Sequence, residues 1–377
     1  MKMGRFVVDG HIHPGKKDHT ADDSKIYGVN AKVEEADNSD MILLDMDAYG
    51  IDMVIILPSL IGTTNELHFD MVRRNPTRFR SMCVDTTTRL KALQGEKEWN
   101  IDDALKELDA ALSVGTDICV GIGEIAPGSL GCPRQRPTRV ERFKEWCAIA
   151  ELCCHYDVPV YFHDYSHICM EEPLTMMANV LQKYPGFKLI IAHGGGQMPE
   201  DIKNACYLAG LFEHVYLETG YWRAEYYEMA LKNYQIGASK LIWGGGDTGS
   251  RVWYMQATKP GLKYIDPTFI WFNRNNWKCG NRELSYQPDY YGWSTHQVHR
   301  LKDLELCTQD EINLIVGGNA VRLYKIKLDD RYTFCYDRPD LNILDKETLE
   351  STEPTWHAGF INPPGQDFIG GEQNFYL

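Results

Sequence analysis

Six side chains of the kinds that hold divalent cations stand at the ends of apolar, β-branched stretches of this sequence. "VVDGHIHPG" supplies His11 and His13, "GIGEIAPG" Glu124, "YFHDYSH" His163, "IAHGGG" His193 and "WGGGD" Asp247. Side chains alternate along a strand, so His11 and His13, two apart, face the same way. Singly, each has an ordinary explanation: a structural histidine, a helix cap at Glu124, or a turn residue at Asp247. Their ordered recurrence at strand ends is what points to a metal site. Imidazole and carboxylate without thiolate suit zinc, iron, manganese or nickel. Cations held this way lower the pKa of water and polarise a carbonyl.

The elements that must position these groups follow a β-then-α rhythm. Eight apolar stretches, centred near Phe6, Val54, Arg80, Val120, Val160, Leu189, Val215 and Leu241, read as strands. Between them lie helical patterns such as "IDDALKELDAALSVG", with acidic residues in its first turn and Gly115 after its end. Alternation of this kind implies a parallel sheet covered by crossover helices. Eight units predict an α/β fold, a (β/α)8 TIM-like barrel with its chemistry at the C-terminal ends of the strands. An open, doubly wound sheet is the competing arrangement. The barrel spans residues 1–327, including a long aromatic and Asn-rich insertion at 251–305 after strand eight. Residues 328–377 form a C-terminal extension, expected to pack on the barrel or on a partner subunit.

Composition narrows the classes of function. The chain has 377 residues, 44% hydrophobic, and a formal net charge of -14. Such an acidic surface repels phosphate backbones and argues against nucleic acid. The opening "MKMGRFVVDG" lacks the apolar core of a signal peptide. No apolar run approaches the ~20 residues of a membrane span. The expectation is a cytoplasmic protein whose 11 cysteines are reduced, most serving as small buried hydrophobes. "HGGG" and "GGGD" contain no GxxxxGK[ST] and adjoin candidate ligands, so nucleotide binding is rejected.

"DGHIHPG", the "HD" after strand five, "AHGGG", "GGGD" and the closing "GGNAVRLYK" together resemble the amidohydrolase superfamily. More narrowly they resemble its amidohydrolase-related branch of decarboxylases, hydratases and lactonases, over residues 5–327. The resemblance implies that His11 and His13 are first-strand metal ligands and His163 the fifth-strand ligand. It implies that Asp247 is the last-strand carboxylate, which binds metal and handles a proton. His193 matches a second-metal ligand of binuclear members, or an acid/base or substrate-binding group of mononuclear decarboxylases. Glu124 departs from those decarboxylases. It is similar to the strand-four glutamate of "GEIG" nucleases in the superfamily, which bridges two ions. One ion would then take His11, His13, Glu124 and Asp247, the other Glu124, His163 and His193.

The expected activity is a binuclear metal hydrolase of a small amide, ester or lactone, with Asp247, His193 and Glu124 as catalytic residues. A binuclear Fe/Fe or Mn/Fe oxygenase hydroxylating a small carboxylate uses the same ligands. A mononuclear, non-oxidative decarboxylase is the third reading. A non-catalytic, metal-bearing subunit that stabilises an active paralogue is the fourth. The expected partner is a small-molecule substrate, a carboxylate, with no nucleic acid and no membrane. The aromatic insertion and the tail point to a homo- or hetero-oligomer. Asp164 and His167 are candidates to orient His163. Arg251 could clamp a substrate carboxylate, against a surface role. His296 and His299 lie where the insertion returns to the barrel. Trp271, Trp277 and Trp293 read as interface anchors or a lid.

Overall fold

The computed structural model describes residues 6–14, 37, 39–58, 63–93, 95–125, 138–163, 173–195, 199–220, 222–245 and 290–328. Its strands are β1 (Val8–Ile12), β2 (Met53–Ile56), β3 (Phe79–Cys83), β4 (Cys119–Ile125), β5 (Val160–Phe162), β6 (Leu189–Ile191), β7 (Val215–Glu218) and β8 (Leu241–Ile242). All neighbours pair in parallel and in sequence order, from β1 to β8. Gly10 N donates to Trp243 O at 2.9 Å, which brings the end of β8 against β1. The sheet is therefore a nearly closed (β/α)8 barrel, as the rhythm of the sequence implies. A doubly wound sheet would have broken the strand order at a switch point.

The helices are α1 (Ser39–Tyr49), α2 (Asn65–Arg74), α3 (Thr86–Leu93), α4 (Ile101–Leu112), α5 (Arg139–Tyr156), α6 (Pro173–Lys183), α7 (Pro199–Leu211), α8 (Ala224–Glu228), α9 (Tyr290–Asp303), α10 (Gln309–Asn313) and α11 (Asn319–Leu323). Local chemistry sets their ends. Thr138 and Glu141 form a reciprocal capping box at the start of α5, and Asp157 ends that helix in a left-handed conformation at φ 54°. Thr64 and Asn100 accept the first free N–H groups of α2 and α4.

The strands are buried on both faces, as parallel strands must be. Val8, Met53, Ile55, Met82, Val120, Tyr161, Ile190 and Ile242 form the inner cluster. Val54, Ile56, Phe79, Ile122, Val160, Leu189 and Leu217 pack outward against Val72, Leu108, Trp146, Val180 and Ile202 of the helices. Each such side chain contributes roughly 1.5–3 kcal/mol when fully buried. Cys83, Cys119, Cys147, Cys153, Cys206 and Cys307 are buried free thiols, and Cys154 is an exposed one. No helix among the described residues is long and apolar enough to cross a membrane.

Two helices differ from the sequence expectation. α3 begins in three threonines, poor helix formers, and is held by Glu107, which accepts the N–H groups of Thr87 and Thr88. α9 falls inside the segment 251–305 assigned to the insertion, so that segment returns to the barrel earlier than expected. Tyr291, Val298 and Leu301 are its buried apolar positions among the described residues, with Ser294, Thr295 and Gln297 buried beside them. The rest of the insertion and residues 329–377 of the C-terminal extension lie outside the described residues.

With two residues, β8 is too short to hold itself, and polar anchors secure it. Trp243 N donates to Ile315 O at 3.0 Å, and Trp243 Nε1 to Ser294 Oγ at 2.7 Å. Asn319, in "GGNAVRLYK", donates through Nδ2 to Ala238 O at 2.8 Å and Leu241 O at 2.7 Å. Asn319 is buried, so its removal leaves two carbonyls short of a donor. The Asn319→Ala variant is expected to lose about 1–3 kcal/mol of stability. A lower urea midpoint with an unchanged denaturant slope is the measurement that shows it.

Candidate metal centre

The pleat alone does not deliver the β1 histidines. Val8 faces the barrel interior, so strict alternation would send His11 outward. The pairing Asp9↔Val54 is followed by Ile12↔Ile56, three residues of β1 against two of β2. This bulge inverts the alternation after Asp9. His11 and His13 therefore turn inward while Asp9 and Ile12 face the helices. β4 uses the same device. Gly123↔Tyr161 is followed by Ile125↔Phe162, so the extra residue is Glu124 itself.

The two bulges bring the first-strand histidines and Glu124 together at the C-terminal mouth. His11 Nε2 and His13 Nε2 lie 2.9 Å apart. Glu124 Oε2 is 3.1 Å from His13 Nε2 and 3.7 Å from His11 Nε2. Its other oxygen, Oε1, is 3.5 Å from His163 Nε2 and 3.9 Å from His193 Nε2. One carboxylate thus turns one oxygen to each of two histidine pairs. Glu124 is buried inside β4 and is not the cap of a following helix.

The second ring nitrogens fix the tautomers that we assign. His13 Nδ1 is 3.0 Å from Leu57 O, a pure acceptor, so it carries the proton. His11 Nδ1 is 3.2 Å from Glu218 Oε2 and also carries one. Both Nε2 atoms are then lone-pair acceptors facing each other at 2.9 Å. Two acceptors so close call for a cation between them. Glu124 Oε1 is also buried with no hydrogen-bond partner among the described residues. The donor set thus fits a metal on both sides of Glu124, as His11–His13–Glu124 and Glu124–His163–His193.

Electrostatics agree with an ionised carboxylate beside a neutral His163 imidazole. Burial alone would push the Glu124 carboxyl up, yet His163, His11 and His13 outweigh it and hold it well below the ordinary range. Burial pushes the His163 imidazole down to about 3. His68, buried behind His13 with Nε2 3.2 Å from Pro14 O, is likewise pushed down to about 3.

β6 presents His193 by a strained turn. His193 has φ 52° and Gly194 φ 60°, both left-handed. A Cβ at Gly194 would lie 2.2 Å from the Trp222 ring, and Trp222 Nε1 donates to His193 O at 3.0 Å. The first glycine after His193 is therefore fixed by conformation and by space.

Asp247, Asp164, His167 and Arg251 lie outside the described residues, as do Trp271 and Trp277. His296 and His299 are half-buried on α9. Two acidic groups escaped the sequence reading. Glu218, the last residue of β7, is fully buried beneath His11 and His193. Leu217 faces outward with Val215, so the pleat alone turns Glu218 inward, a signal present in "HVYLETG". Asp9 sits behind β1, where burial pushes it up to about 6 against the pull of Tyr291 and of the His11 and Gly245 N–H groups. Its Oδ2 accepts from Tyr291 OH at 2.6 Å and its Oδ1 from Gly245 N at 2.9 Å.

A sequence model of the amidohydrolase family matches residues 8–326. The chain belongs to that family. No curated protein matches it. Among solved structures it is similar to 4-oxalomesaconate hydratase from Rhodopseudomonas palustris, at 15% identity and a TM-score of 0.51, covering 85% of this chain and 96% of that one. It is similar to a TIM-barrel protein from Bordetella bronchiseptica, at 14% identity and a TM-score of 0.53, covering 85% and 98%. It is also similar to a 2,6-dihydroxybenzoate decarboxylase, at 14% identity and a TM-score of 0.51, covering 86% and 99%. At such identities the likeness is one of fold. The family is one of enzymes, which supports an enzymatic role here.

Buried neutral histidines make stability depend on pH. In the unfolded chain His68 and His163 titrate near 6.5, and in the folded chain near 3. The unfolded state binds more protons between those values, so stability is full above pH 6.5 and is lost as the pH falls. Each such group contributes a slope of up to about 1.4 kcal/mol per pH unit. Urea unfolding of the metal-free protein from pH 7 to pH 5 is expected to show this loss. His68→Phe should flatten the slope by about one proton.

Proposed function

We propose that this chain is a binuclear metal hydrolase acting on a small amide, ester or lactone that carries a carboxylate. The observation behind this reading is the division of Glu124, with Oε2 turned to His11 and His13 and Oε1 to His163 and His193. A site for a single ion has no use for a carboxylate shared in that way. His11, His13 and Glu124 would hold one divalent cation, and Glu124, His163 and His193 the other. When bound, such a pair supplies Lewis acidity and lowers the pKa of water.

The chain's own residues supply the rest. The backbone carbonyl of Leu57 and the carboxylate of Glu218 hold protons on Nδ1 of His13 and His11, keeping both Nε2 lone pairs directed inward. Burial keeps His163 neutral, so it does not compete for a proton at neutral pH. Asp247, in the "GGGD" that follows β8 in the sequence, is assigned as the base that takes a proton from water and returns it to the leaving group. A carboxylate substrate is in keeping with the substrates that two of the similar structures name, oxalomesaconate and dihydroxybenzoate.

Anaerobic purification with elemental analysis tests the reading. Two divalent ions per chain are expected, with hydrolysis that needs neither oxygen nor reductant. Glu124→Gln should retain at most one ion. Asp247→Asn should slow turnover by about 10²–10⁴-fold. A single ion in the wild type would move the assignment to a mononuclear decarboxylase. Iron or manganese with oxygen-dependent turnover would replace hydrolysis by hydroxylation.

A further inference from the structure

Glu218 belongs to neither half of the proposed site, yet it touches both. Its Oε2 is 3.2 Å from His11 Nδ1, 3.4 Å from His193 Nδ1 and 2.8 Å from the backbone N of His193. His11 belongs to the set on the Oε2 side of Glu124, and His193 to the set on its Oε1 side. The two rings are stacked, with centroids 5.0 Å apart and planes 16° from parallel. One carboxylate oxygen is therefore hydrogen-bonded to Nδ1 of His11 and within ion-pair distance of Nδ1 of His193, while both Nε2 atoms lie on the Glu124 side.

We propose that Glu218 is a positioning residue shared by the two ligand sets. Through one oxygen it sets the tautomer and the ring plane of His11 and His193 together. This rests on the binuclear reading above. A carboxylate behind a ligating imidazole raises its basicity and fixes its direction. Here a single carboxylate does so for one histidine of each set, so the two ion positions share one support.

The surroundings of Glu218 favour this role over that of a third ligand site made with His11 and His193. The N–H of His193 is aimed at its Oε2 and the N–H of Gly220 at its Oε1. Such N–H groups hold an anion and oppose a cation in the same place. The segment after β7 also grips His193 from its other side, through Trp222 Nε1 on His193 O. The left-handed turn that presents His193 is thus held at both its N–H and its C=O by residues 218–222. Space is reserved for the carboxylate as well. A Cβ at Gly244 would lie 1.7 Å from Glu218 Oε1, and one at Gly220 would lie 2.7 Å from it. Gly244, the first glycine of "GGGD", is therefore required by a side chain of the neighbouring strand.

The test uses the full-length chain stripped of metal and titrated with Zn²⁺ against a chromophoric chelator. Wild type, Glu218→Gln and Gly244→Ala are compared. Glu218→Gln removes the charge and keeps the shape; Gly244→Ala keeps the charge and displaces it. In both variants both Zn²⁺ dissociation constants are expected to rise about 10–100-fold, with two ions still bound at saturation. Histidine-selective ¹⁵N spectra of the metal-free protein should show Nδ1–H tautomers at His11 and His193 in the wild type, and a mixture in Glu218→Gln. A rise in one constant only, or none, overturns the proposal. So does a saturating stoichiometry lowered by one, which would make Glu218 itself a ligand. A wild type that binds a single ion sinks the binuclear reading on its own. The positioning role is then upheld if Glu218→Gln weakens that ion and overturned if it does not. Thermal melts of the metal-free forms identify a variant that has not folded, and the other variant then decides.

Discussion

A carboxylate buried among four imidazoles is the constraint around which the mouth of this barrel is organised. Glu124 is almost wholly shielded from water, and an isolated buried charge is costly enough to be neutralised or expelled. It remains ionised because histidines from three other strands surround it. Three of those histidines have a group at their second ring nitrogen: a backbone carbonyl for His13, and Glu218 for His11 and His193. The polar cluster is coherent only when all of these supports are in place.

The barrel reaches that arrangement by local irregularity. Regular parallel strands would give each face a fixed alternation of side chains. At β1 and β4, one additional residue breaks the alternation where a ligand candidate must turn inward. At β6 a left-handed turn does the equivalent work. The inner apolar layer below, from Val8 to Ile242, is fully packed and supplies the rigidity that lets the rim deviate.

Much of this was legible in the sequence. The eight strands stood out because parallel strands are apolar on both faces and are separated by amphipathic helices. His11, His13, Glu124, His163 and His193 were legible because each stands in or just after the last residues of such a strand. The bulges were not, since nothing in "VVDGHIHPG" says that Asp9 faces out while His11 faces in. Glu218 was overlooked although "HVYLETG" ends a strand in a carboxylate, because its partners are ring edges contributed by β1 and β6. α3 escaped because its threonines disfavour helix and its support is Glu107, nearly twenty residues on. α9 escaped because its apolar positions are spaced among polar residues at the end of an aromatic, Asn-rich stretch.

Asp9 ties two remote points of the chain to the back of β1, Gly245 just past β8 and Tyr291 at the start of α9. Both attachments are made by one carboxylate on the strand that carries His11. A single substitution at position 9 would therefore release Gly245 and Tyr291 from β1 together, although the two are far apart in the sequence.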